Sequence, residues 1–365
     1  MKGLQAPAHI EALKPYQAGR SVAEIREQLG LDRIIKLASN ENPLGPSPLA
    51  MERIRNSIQG LAVYPAAGLA LRTALAERYK VPVEQVTVGS GSEGVLLNAM
   101  RSFLQAGDEV ITAEGTFIGF YVLANAFNLN LKTVPLTADY TFDLKAIAEA
   151  ITPETKAVYL ANPNNPTGTA FSMDQYLEFL EKLPEDVLLI MDEAYYEFAG
   201  EAWVNYADSL KHPHPQVLTL RTFSKAYGLA GARIGYGIGP VEMVATMLKV
   251  KLPFEPSALA EAAGLGALED EAFLKRTLEV NRTGRRRMRA KLDELGVHYT
   301  NSVANFELIP LESAERADWF SNELLKRGII ARPMVPFRLP HCVRVTIGKE
   351  DEMDMLLEAL DEIFG

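Results

Sequence analysis

Between about residues 85 and 250 the chain alternates short β-branched and aliphatic runs with longer stretches of helical pattern. The runs are 85–88, 109–113, 131–135, 156–161, 187–191, 217–220 and 232–238, and segments of helical length such as 95–104 and 173–183 separate most of them. Parallel strands need long crossovers, so this alternation predicts an α/β fold with a mainly parallel sheet and helices on both faces. In such sheets the binding site lies beyond the carboxyl ends of the strands. The flanks read differently. Pro15, Pro43, Pro46 and Pro48 make residues 1–50 an extended arm with one short helix around 22–29. Beyond residue 252 the pattern becomes a long helix over 271–295, then short strands and helices to the end. The expectation is a large domain over 51–255 and a smaller α+β domain over 256–365, to which the arm of residues 1–50 contributes.

Composition narrows the class. A chain of 365 residues with 48% hydrophobic and 23% charged positions has ample material for a core. Its net charge of −10 argues against a nucleic-acid partner and leaves room for small anions caught by local cations. The single cysteine, Cys342, excludes an internal disulfide and fits a reducing compartment. No stretch approaches the length of a membrane span, and residues 1–12 lack the apolar segment of a leader peptide. We therefore expect a soluble cytoplasmic protein with no membrane partner. Five histidines and that one cysteine show no metal-ligand spacing, so no metal site is expected. The basic run 285–289 reads as a solvated helix face with i,i+4 pairs.

The chemistry concentrates at strand ends. Lys225 follows the sixth run, between hydroxyls and Tyr227-Gly228, with Arg233 eight residues on. An amine placed so suits an imine with the aldehyde of pyridoxal 5′-phosphate, and freed from it the amine can shuttle a proton. Thr222, Ser224 and Arg233 are the expected donors to the cofactor phosphate, helped by the backbone amides of Ser92 and Glu93. Asp192 ends the apolar fifth run, where a buried carboxylate needs a cation; a protonated pyridine nitrogen would supply it. Asn165, in a turn dense in prolines and asparagines, and Tyr195 could both bond the cofactor's phenolic oxygen. Phe120 is favoured over Tyr121 to stack on the pyridine ring.

One stretch supports a different reading. Gly89-Ser90-Gly91-Ser92-Glu93-Gly94 matches the dinucleotide fingerprint, with Glu114 twenty residues further on. Glycines and a helix N-terminus bind phosphate on any molecule, however, and a nicotinamide-dependent oxidoreductase would leave Lys225, Asp192 and Asn165 without roles.

Taken with these residues, the chain resembles the fold-type I pyridoxal-phosphate aminotransferases, specifically the histidinol-phosphate aminotransferase group. The resemblance runs nearly end to end. It is carried by Lys14-Pro15-Tyr16, Ser39-Asn40-Glu41-Asn42-Pro43-Leu44-Gly45, Tyr64-Pro65, Asn165-Pro166-Thr167-Gly168, Asp192-Glu193-Ala194-Tyr195, Ser224-Lys225 and Arg344-Val345-Thr346-Ile347-Gly348. It implies Lys225 as the Schiff-base lysine, Asp192 as the pyridinium partner, and Asn165 and Tyr195 as phenolate partners. It further implies a homodimer in which the arm makes subunit contacts and Tyr64 reaches the neighbour's cofactor phosphate. Arg344 and Arg332 would grip the anionic groups of the substrate, and Tyr16 and Asn42 would line its pocket. The implied reaction moves the amino group of L-histidinol phosphate to 2-oxoglutarate, in histidine biosynthesis. An aromatic amino acid aminotransferase is the alternative; a threonine-phosphate decarboxylase-like lyase and a non-enzymatic cofactor sensor are remoter. Two departures from the group stand out: Pro253-Phe254-Glu255-Pro256 replaces Pro-Tyr-Asn or Pro-Tyr-Pro, and Phe120 replaces the usual tyrosine.

Overall fold

The computed structural model describes residues 3–13, 26 and 30–365. Lys14, Pro15, Tyr16 and the helix expected around 22–29 lie outside the described residues, apart from Arg26. Strand β1 (Ile35–Lys36) belongs to the arm. The seven predicted runs become β2 (Val86–Gly89), β3 (Glu109–Ala113), β4 (Asn130–Val134), β5 (Thr155–Ala161), β6 (Leu188–Asp192), β7 (Val217–Thr222) and β8 (Gly235–Ile238). They form one sheet in the order β2-β8-β7-β6-β5-β3-β4. Only β8 runs against its neighbours. β5, β6 and β7 lie parallel and side by side, so their carboxyl ends open onto one crevice. Their residues are nearly all buried, as strands covered on both faces require, and mostly aliphatic in β5 and β6, whereas β7 also buries Thr219, Arg221 and Thr222.

The remaining strands are β9 (Phe306–Pro310), β10 (Ile329–Ile330), β11 (Arg332–Pro333) and β12 (Cys342–Thr346). β11, β12 and β9 form a three-stranded antiparallel sheet, and β1 pairs in parallel with β10. The arm also bonds this second sheet, because Thr346 N–H donates to the Leu37 carbonyl at 2.8 Å. Ile35, Leu37, Met288, Phe320 and Val345 share a separate apolar core there.

The long helix spans Glu271–Glu294. It is capped by Asp270, which accepts from Phe273 N–H at 3.1 Å and from the Ser47 hydroxyl at 2.7 Å. Its buried residues, Phe273, Thr277, Asn281, Gly284, Met288 and Leu292, trace one stripe at helical period. The basic run on this helix is not a solvated face. Arg289 pairs with the fully buried Glu307 at 2.8 Å, Arg287 with Asp354 at 2.5 Å, and Arg285 donates to the Ala304 carbonyl. These partners lie on other elements, so the run fastens the helix to its surroundings rather than pairing at i,i+4. No helix among the described residues is long and apolar enough to cross a membrane.

Candidate active site

The crevice beyond β5, β6 and β7 holds a pocket enclosing about 770 Å³, part of it open to solvent. Asp192, Asn165, Tyr195, Thr222, Ser224, Lys225 and Arg233 all line it, together with Ser92 and Glu93 at the start of the helix Gly91–Phe103. Nine residues singled out in the sequence thus meet in one place.

Asp192 is the electrostatic centre. It ends β6, is 6% exposed, and accepts from the Tyr159 hydroxyl at 2.7 Å and from Ala194 N–H at 3.2 Å. Burial pushes its pKa up to about 6; the two hydrogen bonds and the Lys225 charge pull it back down, and Glu93 adds to the rise. Two neutral donors compensate the carboxylate only in part, so its charged form stays costly and a cationic group would stabilise it. Tyr159 belongs to the site although the sequence reading passed over it. A tyrosine inside an aliphatic buried strand needs a hydroxyl partner, and that was the available signal.

Neighbours fix the polarity of two other groups. Arg344, on β12, donates to Asn165 Oδ1 through Nη1 and to the Ala38 carbonyl at 2.9 Å. A guanidinium only donates, so the Asn165 amide must turn its oxygen to Arg344 and keep its N–H groups for other acceptors. Asn40 Nδ2 donates to Tyr195 Oη at 2.8 Å, which leaves the tyrosine's own hydrogen for a further acceptor. Both groups can thus donate to one oxygen anion.

The opposite end is built for an anion. Arg233 has a left-handed backbone (φ 53°) that turns its side chain back over Gly91. A Cβ on Gly91 would sit 2.8 Å from Arg233 Nη2 and push the guanidinium aside, and the backbone there, at φ 77°, itself favours glycine. The first-turn amides of Gly91–Phe103 have no intrahelical acceptors, and the Thr222 and Ser224 hydroxyls, bonded to each other at 2.9 Å, complete the cradle. Lys225 Nζ lies between the two ends and donates to the Ser39 carbonyl at 3.3 Å. The lysine loop is pinned where Gly228 approaches the arm: a Cβ there would fall 1.9 Å from the Gly45 carbonyl oxygen.

Other expectations need correction or stand apart. Phe120 does not reach the pocket; it is fully buried and stacks on Tyr159 with ring centroids 4.3 Å apart. Phe117, one helical turn earlier, lines the pocket instead. Its helix begins at Ile118, so Phe117 projects from the cap while Phe120 turns inward. Asn42 is a correction as well. Its amide donates to the Ala226 carbonyl and to Thr277 Oγ1, each at 3.0 Å, and accepts from Leu44 N–H, so it ties arm, lysine loop and long helix together. Arg332 sits on β11 in register with Arg344 and does not line the pocket. Tyr64 is 76% exposed on the surface, stacked on Phe254 at 4.3 Å.

Comparison with known proteins gives a consistent picture. The family model for aminotransferase class I and II matches residues 32–360. Histidinol-phosphate aminotransferase 1 of Nitrosococcus oceani is 39% identical over 359 residues, covering 98% of this chain and 96% of the relative. Histidinol-phosphate aminotransferase 2 of Nitrosospira multiformis is 38% identical, with 97% and 91% covered. Among solved structures, histidinol-phosphate aminotransferase from Sinorhizobium meliloti, in complex with pyridoxal-5′-phosphate, superposes with a TM-score of 0.89 at 29% identity, covering 99% of this chain and 97% of that one.

Proposed function

This chain belongs to the class I and II aminotransferases and has their fold-type I architecture; on that premise we propose that it transfers the amino group of L-histidinol phosphate to 2-oxoglutarate, using pyridoxal 5′-phosphate. The observation that carries the cofactor assignment is Asp192, a buried carboxylate with a raised pKa and no ion pair among the described residues, facing the pocket that holds Lys225. The donor set fits the cofactor: a cation-seeking acid at one end, an anion cradle at the other, and a primary amine between them. The donor assignment rests on the relatives named above, and 2-oxoglutarate is the acceptor that the family resemblance implies.

The cofactor, when bound, supplies an electron sink beside the substrate's amine-bearing carbon. The rest is done by side chains. Asp192 would hold a proton on the ring nitrogen, and so keep the ring electron-poor. Asn165 and Tyr195 would donate to the phenolic oxygen, and Phe117 would supply an apolar wall. Arg233, Thr222, Ser224 and the amides of Ser92 and Glu93 hold the phosphate. Lys225, whose amine faces the pocket, would hold the cofactor through its aldehyde and, as a free amine, would move the proton taken from the substrate's amine-bearing carbon. Arg344, which reaches Asn165 at the pocket wall, would receive the anionic groups of donor and acceptor, and Arg332, paired in register with it on β11, lies outside the pocket lining. A planar guanidinium accepts both carboxylate and phosphate in two-point geometry, so one site can serve two substrates in turn. Tyr64 of a second copy completes the phosphate site in a homodimer.

Three measurements test this. Borohydride reduction followed by peptide mapping should place a pyridoxyl group on Lys225, and Lys225→Ala should lose at least about 10³-fold in turnover with its melting temperature preserved. An active alanine variant would refute the assignment. Rapid-mixing spectra with histidinol phosphate, phenylalanine and tyrosine should show a fast change with histidinol phosphate alone; a response to the aromatic donors only would favour the aromatic aminotransferase reading.

A further inference from the structure

The helix Gly91–Phe103 has an unusual cap. Its own N-cap side chain, Ser90, makes no capping hydrogen bond. Instead Glu255 reaches over from 165 residues away, and its Oε1 accepts from Ser90 N–H at 2.8 Å. The same oxygen lies 3.4 Å from where a Gly94 Cβ would stand, so the carboxylate rests against the helix's first turn. This is the positive end of the helix, the end that presents the amides of Ser92 and Glu93 to the pocket. A second carboxylate is close by: Glu93 Oε2 stands 3.8 Å from Arg233 Nη2. Lys251 carries the opposite sign beside Glu255, and its ammonium donates to the Ala67 carbonyl at 3.2 Å.

We propose that Glu255 limits the affinity of the phosphate cradle by placing a fixed negative charge at the helix terminus that must also hold the cofactor phosphate. The proposal rests on the pyridoxal-phosphate reading above and deepens it. A carboxylate bonded to Ser90 N–H lies two and three residues from the amides of Ser92 and Glu93 that would bind the phosphate, a separation on the order of 7 Å. At an effective dielectric of 20–40, repulsion over that distance weakens a singly charged anion by roughly 7- to 50-fold, the lower end applying where solvent reaches the pair. The hydrogen bond itself is not the cause, because a neutral acceptor would cap Ser90 equally well. Charge is the variable, and Glu255→Gln isolates it: the amide oxygen still accepts from Ser90 while the negative charge is gone.

The test uses apoprotein titrated at pH 7 and low salt with two probes, pyridoxal phosphate and pyridoxal, which differ only in the phosphate. E255Q should lower the dissociation constant for pyridoxal phosphate about tenfold and leave that for pyridoxal within twofold. An unchanged constant for pyridoxal phosphate, or equal tightening for both probes, would overturn the proposal. Lys251→Met provides a second arm should E255Q fail to fold, because losing that cation should weaken pyridoxal phosphate several-fold and spare pyridoxal; equal effects on both would count against the charge argument. If the wild-type protein itself binds the two probes equally, the cofactor reading fails rather than the role of Glu255.

Discussion

Asp192 and Glu193 are adjacent acids at the end of β6, both buried, and they face opposite environments. Glu193 is fully buried and takes two hydrogen bonds from Arg221, Nε at 3.0 Å and Nη2 at 2.7 Å, plus one from Ser209 N–H. Arg221 also pairs with Asp208 at 2.6 Å and lies 3.4 Å over the Tyr196 ring. Asp192 has two neutral donors and no such cation. Side chains alternate across a strand, so one residue step carries an acid from a closed ionic network into an open pocket. A buried carboxylate that the fold has already neutralised belongs to stability. One that the fold leaves wanting a partner belongs to chemistry.

The contrast can be broken from either side, most strongly through the network. Arg221→Leu leaves two buried carboxylates without their cation and should cost about 3–5 kcal/mol of stability, read by urea denaturation. A loss under 1 kcal/mol would mean that the network is not what holds this region. Asp192→Asn should behave in the opposite way, with turnover down about 10²–10³-fold and the fold intact.

The same variant tests the pKa. Burial raises Asp192 to about 6, above its unfolded value near 3.8, so the favourable contribution is present below pH 4 and is lost as pH rises through 6. The difference of roughly two units corresponds to about 3 kcal/mol. Asp192→Asn apoprotein should therefore match wild type near pH 4 and exceed its stability by about 3 kcal/mol at pH 8. A gap that does not change with pH would remove the electrostatic argument. The smallest expected effect is that of Tyr159→Phe, which removes one hydrogen bond to the carboxylate. It should cost about 1 kcal/mol and raise the pKa of Asp192 further, visible as an upward shift in the acidic limb of the apoprotein's stability profile.

Much of this was legible in the chain itself. The seven central strands declared themselves because continuous aliphatic runs of strand length have few alternatives, and the candidate site residues sat at their ends. What escaped notice depends on distant contacts. Asn42 gave no sign that its partners would be Ala226 and Thr277, 184 and 235 residues away. Phe117 and Phe120 differ by one helical turn, and only the helix start at Ile118 decides which of them faces the pocket. The arginines at 285–289 looked solvated because Glu307 and Asp354 come from later elements. β10 and β11, two residues each, are too short to leave a periodic trace.

The contact at Gly228 constrains what variation this lineage can tolerate. Even a methyl group at that position would drive the arm away from the loop that bears Lys225, and no rotamer relieves a collision with a carbonyl. A saturation library at 228 selected for growth should return the parental codon family and little else, whereas one at Gly231, where a Cβ meets nothing within 4 Å, should be permissive.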